Sequence, residues 1–379
     1  MANRAIVKTA DVAAIDALSG LVVDSRARAL AVVGLSKNAG KTTVVNALMA
    51  KCACEFGLTS LGLDGEPVDH VTGLAKPRIA PPRGTLVATT LGSLERSGYK
   101  MDILEELPFR TPLGPVVIGR ARGQGRVEVS GPTTLSELRA TVDRLHAHGA
   151  VRVLVDGAIN RLGSGSPRVS DGILLATGGM VGDTLEDVVE STVAAVDHLS
   201  LPEVSQQTRE MLAPHLRDDA RPVSFDACGR AMSLTLHTAV GAGATVAREA
   251  ARLGTATLFV GGAVTEGFLD EFLRVSPPRA RLRIVVRDAT VLVAPARSVQ
   301  RCRRGGIRIE VLAPLRLLAV TTNPFRSPQS YPSTTFFGAI VDALGDRFPV
   351  FDVVSDFSSV PGEPRPPHGS LVHEKELMQ

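Results

Sequence analysis

The chain of 379 residues contains no tryptophan, two tyrosines and only four cysteines. With twelve phenylalanines as its main aromatic residues, it offers few platforms on which single-stranded nucleic acid could stack. Cysteine is too sparse for a disulfide scaffold. Cys52 and Cys54, with the isolated Cys228 and Cys302, also lack the paired C-x₂₋₄-C spacing of a zinc site. Neither sign of charge dominates, since 42 basic and 39 acidic residues leave a net +3, and nucleic acid is therefore not an expected partner. No run nears the ~18 uninterrupted apolar residues of a membrane helix; the apolar stretch 312–320 is broken by Pro314 and Arg316. The N-terminal MANRAIVKTADVAAID has no apolar core before a small-residue cleavage site, so a cytoplasmic location without membrane contact is expected.

What is present suffices for ordinary cores. Apolar residues make up 44% and charged residues 21%, which excludes wholesale disorder, and the length is that of about two to three domains. Short β-branched runs alternate with helical patterns, the signature of an α/β protein with a mostly parallel sheet. Residues 29–33 (ALAVV) read as a buried strand, followed by a turn of small residues and a helix over 41–56. In that helix Val44, Val45, Leu48, Met49 and Cys52 share one face. Further strands are expected from 59, at 85–89, 151–155 and 173–176, with helices at 133–148 and 183–198. Residues 116–119 and 126–129 read as a hairpin around the Gly-rich ARGQG. A polar, proline-containing stretch at 205–221 separates a first domain, 1–204, from a smaller second α/β domain, 205–358. In the second domain 244–253, 265–274 and 335–344 read as helices, and 257–260, 282–286, 291–293, 307–311, 317–321 and 350–354 as strands. The Pro-rich residues 359–379 are expected to form a mobile tail.

The segment ALAVVGLSKNAGKTTVVNALM (29–49) carries the chemistry. A phosphate-binding loop needs a strand, a turn of small residues exposing backbone N–H groups, and Gly-Lys-[Ser/Thr] opening a helix. The N–H groups and the positive helix end hold phosphate oxygens, a lysine reaches the β- and γ-phosphates, and the first helical hydroxyl binds Mg²⁺. Gly40, Lys41 and Thr42 fill those three positions. The candidate nucleotide-binding set is Gly34, Ser36, Lys37, Asn38, Ala39, Gly40, Lys41, Thr42 and Thr43, with Lys41 also catalytic and Thr42 a metal ligand. The usual G-x₄-G-K-[ST] pattern would place its first glycine at position 35, which is Leu35; Gly34 gives G-x₅-G-K-T. Lys37 reads equally as a solvated loop residue or as a supporting phosphate contact.

Two acidic groups are candidates for work beside the phosphates. Asp64, with Glu66 behind it, follows the second strand, at the carboxyl edge where open α/β sheets bind ligands. It is assigned a catalytic and metal-binding role, the alternative being a simple Asp64-Gly65 turn. Asp156 follows the apolar strand 151–155 and is the expected Mg²⁺-side carboxylate. Asn160, Arg161 and Ser164 lie in the loop beyond and read either as nucleotide-facing or as plain polar residues. No N-K-x-D tetrad is present, which favours ATP over GTP. Asp69 directly precedes His70, so the D-x-H-x-x-G pattern of a cobalamin ligand is not met, and nothing near Cys302 supports a glutamine-hydrolysing pair. The arginines between Arg279 and Arg308 read as a solvated face or a partner surface.

The longer loop spacing resembles the dethiobiotin-synthetase-like branch of P-loop NTPases. GLSKNAGKTT, LDGEPVDHVTGLAKPRI, GTLVATT, VLVDGAINR and LLAVTTNP together resemble the P-loop subunit of the lysine 5,6-aminomutase reactivase, over most of residues 29–325. The resemblance implies a P-loop NTPase domain plus the smaller α/β domain. It further implies an ATPase, acting as a chaperone subunit, that uses ATP and Mg²⁺ to exchange damaged for intact adenosylcobalamin on the aminomutase. Its implied partners are a second subunit similar to mismatch-repair ATPases and the aminomutase client, gripped through the extra domain. The alternative from another class is an ATP-dependent, carboxylate-activating biosynthetic enzyme of the dethiobiotin-synthetase or cobyrinate-amidase type.

Overall fold

In the computed structural model the described residues are 13–51, 56–62, 79–123, 125–158, 163–216, 221–234, 236, 238–275 and 282–360. The first half runs α1 (Ala14–Asp24), β1 (Ala29–Gly34), α2 (Lys41–Lys51), β2 (Phe56–Ser60), β3 (Leu86–Thr90) and α3 (Leu91–Ser97). It continues through β4 (Met101–Thr111), β5 (Gly114–Ala121), α4 (Leu135–Ala147), β6 (Arg152–Ala158), β7 (Gly172–Gly178) and α5 (Leu185–Leu199). Next come α6 (Gln206–Leu212), β8 (Val223–Phe225), β9 (Ala231–Ser233), α7 (Gly243–Leu253), β10 (Thr257–Val260), β11 (Val264–Thr265) and α8 (Glu266–Val275). The chain closes with β12 (Arg283–Val286), β13 (Leu292–Val293), α9 (Ala296–Arg304), β14 (Arg308–Val311), β15 (Leu317–Asn323), α10 (Ser333–Leu344), β16 (Val350–Asp352) and β17 (Phe357–Ser359).

Ten strands form one sheet in the order β17-β16-β15-β7-β1-β6-β2-β3-β5-β4, and five form another in the order β14-β12-β10-β8-β9. The large sheet is parallel from β16 through β3 and antiparallel at both ends. Its central strands are apolar along their whole length because both faces are covered: every residue of β1 and β7 is buried. One face packs on α1 and α2 through Leu18, Val22, Val45 and Leu48. The other packs on α4 at one end through Leu138, Val142 and Leu145. At the opposite end it packs on α5 and α10 through Val188, Val196, Phe336 and Ile340. That last layer is continuous with α7, α8 and α9 and with one face of the five-stranded sheet, including Leu258, Ile284 and Ile309. The outer face of the small sheet is closed by α6, where Leu212 meets Phe225, Phe259 and Val285.

Several expected elements differ in their bounds or pairing. The helix read as 41–56 is described as far as Lys51, Cys52 lies outside the described residues, and Phe56 already pairs with Arg152 as the first residue of β2. The helices read as 133–148 and 183–198 begin at Leu135 and Leu185. Thr134 and Thr184 are their N-caps, each in a reciprocal capping box with Glu137 or Asp187. Residues 116–119 belong to β5, whose hairpin partner is β4; Val127 instead bridges Ile79. The chain after 205 does not remain in one sheet. Residues 223–311 build the small sheet, whereas β15, β16 and β17 return to the large one. All but the last residue of β15 is buried, as a strand lying between β7 and β16 requires.

Beside the end of β2 the segment 130–132 crosses so closely that a Cβ on Gly131 would stand 1.6 Å from the Ser60 carbonyl oxygen. Gly131 N–H donates to Gly62 O there, and Gly62 N–H to Pro132 O. Gly20, by contrast, is an exposed helical glycine with open space around it. Urea denaturation is expected to show Gly131→Ala destabilised by about 2–3 kcal/mol through overpacking. Gly20→Ala should be stabilised by about 0.5–1 kcal/mol through helix propensity.

Candidate phosphate-binding site

β1 is flanked by two parallel strands, β6 on one side and β7 on the other. Connections leaving in opposite directions open a crevice at the carboxyl ends of such strands, and the loop from β1 to α2 lies at this point. β1 ends at Gly34. A Cβ there would meet Lys41 Cγ and Cδ at 2.8 Å and Nζ at 2.9 Å, so the Lys41 side chain folds back from the first turn of α2 across the end of the strand. A Cβ at this close approach would push the lysine side chain aside, and the match of Gly34 and Lys41 in sequence is thereby a contact in space.

The loop between them is shaped by backbone and neighbours. Asn38 at φ +60° and Gly40 at φ +97° flank Ala39, and left-handed residues in a turn make the N–H-lined concavities that hold anions. Leu35 N–H donates to Ala176 O of β7, Ser36 Oγ to Lys37 O, and Val44 N–H to Gly40 O. Ala39 is buried against the end of β7, where a Cβ on Gly178 would lie 3.0 Å from Ala39 Cα. Lys41 and Thr42 are half-buried, while Lys37 and Thr43 are exposed. The expected set from Gly34 through Thr43 therefore forms one contiguous loop and helix start.

Asp156 lies inside β6, which continues two residues further to Ala158, rather than just past the end of its strand as expected. Its register partners are Val32 of β1 and Ser60 of β2. Alternation along the strand puts it on the same face as Leu154, the face that α2 covers through Val44, Val45 and Leu48. It thus occupies the strand next to the loop, on the side from which Thr42 starts the helix. Ser60 Oγ donates to the Asp156 carbonyl at 3.0 Å. Ser164 is fully buried, with Oγ against Gly157 of β6. Asp64, Glu66, Asn160 and Arg161 lie outside the described residues. Among the described residues no group of three His, Cys, Asp or Glu side chains is placed to hold a metal ion. None of the described helices is long and apolar enough to cross a membrane.

One residue of the site carried no assignment from sequence. Asn323, the last residue of β15, donates from Nδ2 to the Asn38 carbonyl at 2.7 Å and accepts from Phe325 N–H at Oδ1. A Cβ on Gly40 would approach the Asn323 Cβ at 3.0 Å. Asn323 thus braces the loop from a strand almost 300 residues later in the chain (|i−j| = 285 to Asn38). Its only sequence signal is Asn-Pro at the end of an apolar run. Asn323→Ala is expected to cost about 1 kcal/mol of stability. It should also raise the amide hydrogen-exchange rates of residues 38–40 well above those of β1, which the same experiment reads as an internal control. Comparison of the chain with protein-family models, with curated proteins and with solved structures finds no match in any of the three.

Proposed function

We propose that the β1–α2 loop binds the phosphates of ATP with Mg²⁺, and that the chain is the ATP-hydrolysing subunit of a reactivating chaperone for lysine 5,6-aminomutase. The observation that carries the nucleotide reading is the Lys41 side chain laid across Gly34 at the crevice of the large sheet. In this reading Lys41 meets the β- and γ-phosphates. The loop from Ser36 to Gly40 offers backbone N–H groups to their oxygens, and the N-terminus of α2 adds its positive dipole end. The Thr42 hydroxyl and the Asp156 carboxylate are the groups for Mg²⁺ or its water, with Asp64 as the second acidic candidate. Mg²⁺ when bound supplies charge neutralisation on the phosphate oxygens.

The chaperone half of the proposal rests on the sequence resemblance, and two structural features are compatible with it. The five-stranded sheet shares its apolar layer with α5 and with Leu35 of the loop, giving a packed route from the loop to a second surface. On that surface Arg303, Arg304 and Arg308 are exposed. A client can change turnover only by binding the nucleotide-bound and empty states with different affinity.

Lys41→Ala is expected to weaken Mg-ATP binding by about two orders of magnitude with the circular dichroism spectrum unchanged; unchanged affinity in the folded variant removes the nucleotide assignment. Asp156→Asn should retain nucleotide and lose turnover on the order of 10²-fold. ATPase activity should be slow alone and rise when inactivated holo-aminomutase and the partner subunit are added. The double variant Arg303→Glu, Arg304→Glu should blunt that rise and leave the basal rate intact. A small carboxylic acid that stimulates turnover without any protein, giving a phosphorylated or ligated product, would replace the chaperone by the carboxylate-activating enzyme.

A further inference from the structure

Behind the loop, between α5 and the segment that joins β12 to α9, lies a cavity of about 740 Å³, within the range of small-molecule sites. It touches the β1–α2 loop only at Leu35, and neither Lys41 nor Thr42 lines it. α5 supplies one wall through Glu190, Ser191, Ala194, Ala195 and His198, which recur at i, i+1, i+4, i+5 and i+8 and so form one stripe. The opposite wall includes Leu292, Pro295, Arg297 and Glu266.

The polar groups decide what the cavity can hold. Arg297 and Ser298 Oγ both reach Glu266 Oε1, each at 3.3 Å. The guanidinium and the start of α9 therefore already face a carboxylate, and a second anion would meet no unopposed cation there. Across the cavity Glu190 sits at the exposed end of the α5 stripe. Its lining balance is two carboxylates against one guanidinium. His198, 8% exposed, pairs through Nε2 with the Ala289 carbonyl at 2.9 Å. A carbonyl can only accept, so Nε2 carries the proton, and in the neutral ring Nδ1 is an acceptor. Burial lowers the pKa of this imidazole, which favours that neutral form. Glu190 and His198 are eight residues apart, about 12 Å along the helix, with Ala194 and Ala195 between them.

We infer that this cavity binds an extended organic ammonium, its cation at Glu190, its apolar chain along Ala194 and Ala195, and a hydrogen-bond donor at the His198 end. The inference does not depend on the nucleotide reading. Three probes of one carbon skeleton test it on the full chain by isothermal calorimetry and amide chemical-shift changes: 6-amino-1-hexanol, 6-hydroxyhexanoate and 1-hexanol. The aminoalcohol should bind saturably, and both other probes about tenfold more weakly or not at all. Glu190→Gln, an exposed substitution that leaves the fold intact, should raise the aminoalcohol Kd about tenfold, the worth of one charged hydrogen bond. Ala194→Trp, which fills the cavity, should abolish binding in a variant with a native melting profile. Equal or tighter binding of the hydroxyhexanoate overturns the inference. So does an aminoalcohol Kd indifferent to Glu190→Gln, or the absence of saturable binding by every probe.

Discussion

Strand β1 is hydrogen-bonded along both edges and buried on both faces, and the position of its last residue sets the rest of the carboxyl edge. Ala31 and Val33 point into the layer shared with the small sheet, while Leu30 and Val32 point into the layer under α1 and α2. A strand held from four sides cannot slip by one residue without exchanging its two faces. Gly34 is therefore delivered to a fixed height, level with Ala158 and Ala176 of its neighbours. At that height the absence of a Cβ lets Lys41 return across the strand end, and the loop between the two residues must turn within a confined space. The left-handed conformations at Asn38 and Gly40 follow from that confinement.

The same requirement for cover on both faces explains why the second half of the chain is folded as it is. Parallel strands present two apolar faces, and on one of them α5 and α10 cover β7 and β15. The five-stranded sheet with α7, α8 and α9 extends that cover into one continuous core. Polar ties cross at its edge. Asp288, 2% exposed, accepts from Ser166 Oγ and from Thr290, which fastens the loop after β6 to the turn after β12. His198 of α5 is held by the adjacent Ala289 carbonyl. The cavity opens where these ties leave α5 and the 290–297 segment apart.

The chemistry of the molecule is thus arranged on two sides of one strand end. Toward α2 lie Lys41, Thr42 and Asp156, the set proposed for phosphate and a divalent cation. Toward α5 lies the cavity, rich in acceptors and lined by alanine and leucine. Leu35 is the residue they share. Its side chain belongs to the apolar layer, while its N–H is fixed to β7. This position makes it a departure from the common loop pattern with a structural use.

Local information was enough for the parts of this protein that are governed by neighbours in sequence. The β1–loop–α2 unit was legible because an apolar run, small residues, Gly-Lys-Thr and a helical face follow one another without a gap. The alternation of apolar runs and amphipathic helices likewise announced an α/β protein with a mostly parallel sheet, because a strand buried on both faces has no other composition open to it. The capping boxes Thr134–Glu137 and Thr184–Asp187 are also local, and they set where the two helices begin. Pairing was not legible. That β15 rejoins the large sheet, that β5 pairs with β4 rather than with the segment after its Gly-rich turn, and that Asp156 lies within its strand all depend on which edges meet. An apolar run carries no label for its partner. Asn323 beside Asn38, His198 on Ala289 and the cavity between α5 and α9 were decided by tertiary packing alone: the first exists only once β15 has joined β7 in the large sheet, the other two only once the two sheets share a core.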